Sequence, residues 1–247
     1  MSAKGFLEAL AGLSGGIGGS TRRSWVCATC RGPATSDGLY GGKLCATCAE
    51  ADRLERRRLT LRHAWASLPG RFADADGWRW PEPRKTSLRE IRRDHGNALL
   101  TGPPGVGETA GACAVLASIL RAAESPTATP EQVEDAAASR YVSDAALTRA
   151  VAAHALGHGE APTYHDALWA PVLVLDEIGY DLTDRRHVAR DLIQLRYDSP
   201  RKGLRTILTT GHTRDGLESQ WGGGTGRRVW AESVVYEWSA MPNVESK

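Results

Sequence analysis

A run of glycines and prolines between an apolar strand and an apolar helix constrains this chain more than any other feature. Leu99–Thr109 reads LLTGPPGVGET, so Gly102, Pro103, Pro104, Gly105, Val106, Gly107, Glu108 and Thr109 fill the frame G-x-x-x-x-G-K-[ST] at every fixed position but one. The spacing predicts a strand at Ala98–Leu100, then a turn whose glycines let backbone N–H groups converge on phosphate oxygens. A helix follows from Ala110 and offers its positive end to the same anion. Thr109 is suited to holding Mg²⁺. The exception is Glu108, which stands where the frame has lysine. Like charges about 4 Å apart repel by roughly 4 kcal/mol at an effective dielectric of 20, and the lysine's attraction is lost as well. The loop is therefore expected to fold and to bind nucleotide badly. Two origins stay open: a residue altered by hand to disable an ATPase, or a natural chain that keeps the fold without the activity.

The glycine run gains specificity from Pro171–Gly179, PVLVLDEIG. Val172–Leu175 predicts a buried strand that ends in Asp176 and Glu177. At that place an aspartate orders the Mg²⁺ shell and the next carboxylate activates the attacking water. The two motifs together predict a P-loop ATPase core.

Four of the five cysteines, Cys27, Cys30, Cys45 and Cys48, form C-x2-C-x14-C-x2-C. Two thiolate pairs make the closed tetrahedral site of a structural zinc, and so small a unit has too little apolar material to fold without it. A redox dithiol pair is the alternative, but a lone redox C-x-x-C needs no partner pair. Cys113 lies in an apolar helix, Ala110–Ala123, and is expected to pack as a small hydrophobe. His154, His158 and His165 are joined by no carboxylate or cysteine at ligand spacing and read as surface histidines.

The net charge of +2 hides a local bias, since Arg53–Arg62 carries five arginines and one acid. Ala49–Ser67 reads as a helix, either a solvated linker or a basic face for nucleic-acid phosphate or an acidic partner. Residues 71–87 read as an extended connector. No apolar run approaches the roughly 20 residues of a membrane span, and no secretion signal is evident, so a cytoplasmic protein without membrane contact is expected. The domain reading is a flexible tail at 1–23 with a short helix at Phe6–Leu13, a zinc module at 24–50, a basic linker helix and connector at 51–86, and an ATPase domain at 87–247. Within that domain, Thr129 before Pro130 predicts a helix start. Further helices are expected at Asp144–Leu156 and Asp184–Tyr197, and strands at Arg140–Ser143 and Arg205–Thr210. Gly222–Gly226 reads as a glycine loop and Val229–Trp238 as an amphipathic stretch. Alternating strands and helices imply a doubly wound parallel sheet.

In this order the segments resemble the DnaC/IstB-type AAA+ family of helicase loaders and transposition helper ATPases. The resemblance rests on LPGRF, NALLTGPPGVG-E-T, RYVSDAALTRA, LVLDEIGYD and RTILTTGHTRDGL, over about residues 68–235. It implies an AAA+ α/β fold without a helical lid, phosphate contacts across Gly102–Ala110, magnesium at Thr109 and Asp176, and a water-activating role for Glu177. It also implies an arginine finger on a neighbouring subunit, for which Arg228 and then Arg227 are the candidates; a plain basic loop is the alternative. At the family's sensor asparagine this chain has Gly211, leaving Thr210 or His212 as imperfect substitutes. The implied function is ATP-dependent loading of a hexameric replicative helicase, with ATP and ADP handling impaired by Glu108. The implied partners are that helicase, single-stranded DNA and further copies of the chain. A transposition helper on duplex DNA and a nucleotide-independent adaptor built on the zinc module are the alternatives.

Overall fold

The computed structural model describes residues 25–34, 36–37, 43–154, 157–180, 187–199 and 203–239. The expected Phe6–Leu13 helix lies outside the described residues. The chain divides into two compact units, residues 1–53 and 54–247.

In the first unit, β1 (Trp25–Val26) pairs antiparallel with β2 (Pro33–Ala34), and β3 (Ser36–Asp37) with β4 (Lys43–Leu44). One cysteine pair follows β1; the other lies at the start of α1 (Ala46–Ser67). The division between the units falls within this helix.

The second unit is built on five parallel strands. They are β5 (Asn97–Thr101), β6 (Arg140–Ser143), β7 (Val172–Asp176), β8 (Arg205–Thr210) and β9 (Ser233–Glu237), in the spatial order β6-β7-β8-β5-β9. Successive strand residues face opposite sides of the sheet, and both sides are buried. Leu100, Val174 and Ile207 pack with α3 (Glu108–Glu124) on one side, whereas Leu99, Leu175 and Leu208 pack with α7 (Val188–Asp198) on the other. Helix α3 is apolar nearly all round and correspondingly buried over most of its length. Helix α4 (Pro130–Ala138) starts where expected: Thr129 and Gln132 exchange hydrogen bonds with each other's backbone, and Pro130 occupies the first turn.

Several readings are corrected. The inner side of α1 is core: Leu61 and Ala64 are fully buried, Trp65 Nε1 donates to Glu124 at 2.9 Å, and Arg57 donates to the carbonyls of Ser125 and Ala128. Residues 71–87 are not extended throughout, because 3-10 turns at Gly70–Phe72 and Ala75–Gly77 lead into α2 (Arg84–Arg93). Two shorter helices, α5 (Asp144–Ala153) and α6 (Pro162–Trp169), flank β6 and β7. The expected end of α5 at Leu156 and start of α7 at Asp184 lie outside the described residues.

The largest difference follows α8 (Arg214–Trp221). The expected glycine loop is instead the first turn of α9 (Gly223–Ala231), and the amphipathic stretch divides into the end of α9 and the edge strand β9. Tight helix packing is the reason for the glycine: a Cβ at Gly226 would lie 2.7 Å from Glu218 Cα on α8. Among the described residues, no helix is long and apolar enough to cross a membrane.

Candidate functional site

The loop between β5 and α3 opens at the carboxyl end of the sheet, beside the ends of β7 and β8. Gly105 and Gly107 sit at φ +87° and +99°, which a side chain rarely tolerates, and Gly107 caps α3 without a side-chain acceptor. The first-turn amides therefore receive no cap from the residue that starts the helix. A cavity of about 360 Å³ lies over them, lined by Pro104, Gly105, Glu108, Thr109, Glu177 and Thr210 among others. Gly102, Pro103, Val106, Gly107, Ala110 and Asp176 are not in its lining; Val106, Ala110 and Asp176 are buried. Burial pushes the Glu108 carboxyl up from its ordinary value, against the pull of the Glu108 and Gly107 backbone N–H groups; nearby Asp176 adds to the rise. The carboxylate therefore draws on amides that a phosphate needs.

Asp176 is held from both sides. Tyr141 on β6 donates its hydroxyl to Oδ2 at 2.7 Å, and Thr209 on β8 donates to Oδ1 at 2.6 Å. Parallel register explains the convergence, since β7 lies between these two strands. Glu177, exposed and at φ +58°, directs its N–H to Thr209 Oγ1 at 2.9 Å. Neither Tyr141 nor Thr209 was assigned a role from the sequence; the two hydroxyls that end RTILTT were the available signal. Burial and the Asp176 charge push the Tyr141 phenol far up, so it remains a proton donor.

Thr210 is buried and donates to the Ile178 carbonyl at 2.9 Å, so its own proton is already committed. At Gly211 a Cβ would lie 2.2 Å from the Tyr180 hydroxyl oxygen. That phenol stacks on His212 with ring centroids 4.4 Å apart, and His212 Nε2 lies 3.0 Å from the Gly179 carbonyl. Aromatic groups thus fill the volume next to Gly211.

Arg227 and Arg228 lie on α9 rather than in a loop. Arg228 pairs with Asp198 at 2.7 Å and Glu232 at 2.5 Å. Arg227 donates to the Gly223 carbonyl at 2.6 Å and has no ion pair among the described residues. Cys113 is fully buried in the core beside α2, and burial pushes its thiol far up.

In the first unit, the Sγ atoms of Cys27, Cys30, Cys45 and Cys48 all lie within 4.8 Å of one another. A tetrahedron of 2.3 Å zinc–sulfur bonds has edges of about 3.8 Å, so the cluster fits such an ion. Backbone N–H groups of Cys30 and Cys45 bring Cys27 down to about 6, whereas the neighbouring Cys45 thiol pushes Cys48 up to about 12. Four thiolates so close together need a cation between them.

The parallel order with β8 between the loop strand and the acidic strand defines an AAA+ P-loop fold, preceded by a small four-cysteine module. No family model and no curated protein sequence matches the chain. Among solved structures it is similar to DnaI, at 16% identity and TM-score 0.52, over 69% of this chain and 94% of that one. It is also similar to the DnaC helicase loader, at 19% identity and TM-score 0.50, over 68% and 99%. AMPPCP-bound DnaA from Aquifex aeolicus matches at 14% identity and TM-score 0.51, over 69% of this chain and half the length of that one. These likenesses are of fold.

Proposed function

We propose that the chain is a helicase-loader-type AAA+ protein whose nucleotide switch is weakened by Glu108. One observation carries the reading: the fold is shared over almost the whole of the DnaI and DnaC chains, whereas only half of DnaA is covered. In this reading the cysteine module holds zinc and, with its basic surroundings, grips a hexameric replicative helicase. The AAA+ units assemble side by side and engage single-stranded DNA.

ATP would bind across Gly105–Thr109, with magnesium held by Thr109 and by Asp176, which the Tyr141 and Thr209 hydroxyls keep in place. Glu177 would supply the carboxylate that activates the attacking water. We assign the finger for the neighbouring subunit to Arg227 ahead of Arg228, because Arg228 is already neutralised by Asp198 and Glu232. The Glu108 carboxylate opposes nucleotide phosphates and makes ATP a poor timer for assembly. The chain is expected to act in the cytoplasm.

The test is co-purification of the zinc-loaded full chain with a hexameric replicative helicase, read as a complex of increased mass. A stable complex supports loading, and absence of any complex removes it. Preference for duplex over single-stranded DNA, with bending of the duplex, marks the transposition-helper alternative. Partner binding that ignores ATP even in Glu108→Lys marks the adaptor.

A further inference from the structure

We infer that the segment between the 3-10 turns and α2 forms a docking surface for single-stranded DNA, separate from the nucleotide pocket. The inference rests on the single-stranded-DNA part of the proposed function and names the residues that perform it.

The surface begins with a fixed aromatic platform. Trp78 stacks on Trp80, with centroids 5.8 Å apart and planes inclined by 25°, and Phe72 meets the edge of Trp78. Trp80 cannot swing away: its indole N–H donates to the Ala75 carbonyl at 2.9 Å, and its ring packs near Trp238. One indole is therefore held in place while Trp78 stays 45% exposed. A large aromatic left open to water on a rigid support is what an unstacked base uses, since every base has a π-face.

Charge completes the surface. Trp78 and Trp80 line a cavity of about 530 Å³ together with Arg79, Lys85, Arg89 and Arg92, floored by Leu88 and by the middle of α3. Lys85, Arg89 and Arg92 recur at i, i+4 and i+7, so they form one stripe along α2, about 10 Å from end to end. All three are exposed, and none has an ion pair among the described residues. Arg79–Arg93 holds six basic residues and two acids. One of the acids, Glu82, accepts from the Thr86 hydroxyl at 2.7 Å, which with nearby Lys85 and Arg89 holds its carboxyl below the ordinary value. Asp76, the acid in the cavity wall, spends its charge on Arg121 at 2.6 Å. A positive stripe beside a stacking platform suits a strand whose phosphates run along α2 while a base lies on Trp78.

The nucleotide pocket carries the opposite charge, with carboxylates at Glu108 and Glu177 and no cation in its lining.

The test is fluorescence anisotropy of the zinc-loaded full chain with a labelled oligothymidylate of about 20 nucleotides, across a salt series. Replacing Lys85, Arg89 and Arg92 together by alanine is expected to weaken binding at low salt and to flatten the dependence of log K on log salt by about 2. Trp78→Ala is expected to weaken binding about ten-fold, while Trp78→Phe keeps most of the affinity. The phenylalanine variant also controls for disturbance of the Phe72 and Trp80 packing. Unchanged affinity and salt slope in the variants of a parent that does bind would overturn the surface and leave the loader reading standing. A parent that binds no single strand at all removes the surface together with the single-stranded-DNA part of the proposed function, and leaves the helicase part to the co-purification. Tighter binding of duplex, or displacement of the oligonucleotide by AMP alone, assigns the platform to another ligand and also overturns the proposal.

Discussion

The cysteine cluster and the nucleotide loop both gather negative charge, with opposite results. Four sulfur atoms converge in the first unit, where a divalent cation would turn their repulsion into bonds that hold the unit. In the second unit, glycines at positive φ open backbone amides toward an anion, and the chain then places the Glu108 carboxylate beside them. One site concentrates charge of the sign its ligand lacks; the other concentrates charge of the sign its ligand carries. A residue's contribution to a site is thus decided by the charge of the absent ligand as much as by its own.

The widest contrast is expected on metal removal. Apparent zinc-binding free energies in small metal-dependent units are about 10–16 kcal/mol, more than a unit of this size holds otherwise. A strong chelator, or Cys45→Ser, is expected to unfold residues 25–50 while the cooperative melting of residues 54–247 persists. Near-ultraviolet circular dichroism alongside zinc analysis would read this, and an unchanged first unit without metal would end the comparison.

Reversing the sign in the loop comes next. Glu108→Lys removes about 4 kcal/mol of repulsion, so ATP affinity is expected to rise about a thousand-fold, measured by calorimetry with magnesium present. Equal affinities in the two forms would show that position 108 does not set the charge felt by phosphate.

A smaller effect concerns Asp176, a buried carboxyl group whose two oxygens each accept from a hydroxyl. Tyr141→Phe and Thr209→Val each remove one donor to this group and are expected to cost about 2 kcal/mol, or several degrees of melting temperature. Melting temperatures within a degree of the parent would mean that water replaces the hydroxyls without loss.

The smallest effect is pH-dependent. Because the folded-state value of Glu108 is raised, its contribution to stability is present below the ordinary carboxylate range and is lost as pH rises through the raised value. Glu108→Gln escapes that loss. Its urea midpoint is expected to exceed the parent's by more at pH 7 than at pH 4, and an equal difference at both would contradict burial as the cause.

The loop, the acidic strand end and the cysteine spacing were legible in the sequence because each is written in neighbouring residues or in a fixed interval. Tyr141 and Thr209 were not, since they meet Asp176 only through the register of three strands that lie far apart along the chain. Helix α9 was hidden by its glycines. Locally they argue for a turn, and only the approach of α8 to Gly226 reveals why a helix carries them. Strand β9 was missed for a related reason: its residues are only partly buried at the sheet edge, so the pattern reads as merely amphipathic. The aromatic stack of Trp78 and Trp80 lay in a stretch whose prolines suggested extended chain, yet two short turns fold it against the core.

The contact between Gly211 and Tyr180 has a consequence for substitution. Because a Cβ at 211 would fall within 2.2 Å of the phenolic oxygen, any side chain at 211 and the present phenol are rival tenants of one volume. A residue larger than glycine there displaces Tyr180 and takes its ring off His212, so a change at one loop is felt as a loosened aromatic pair on the next.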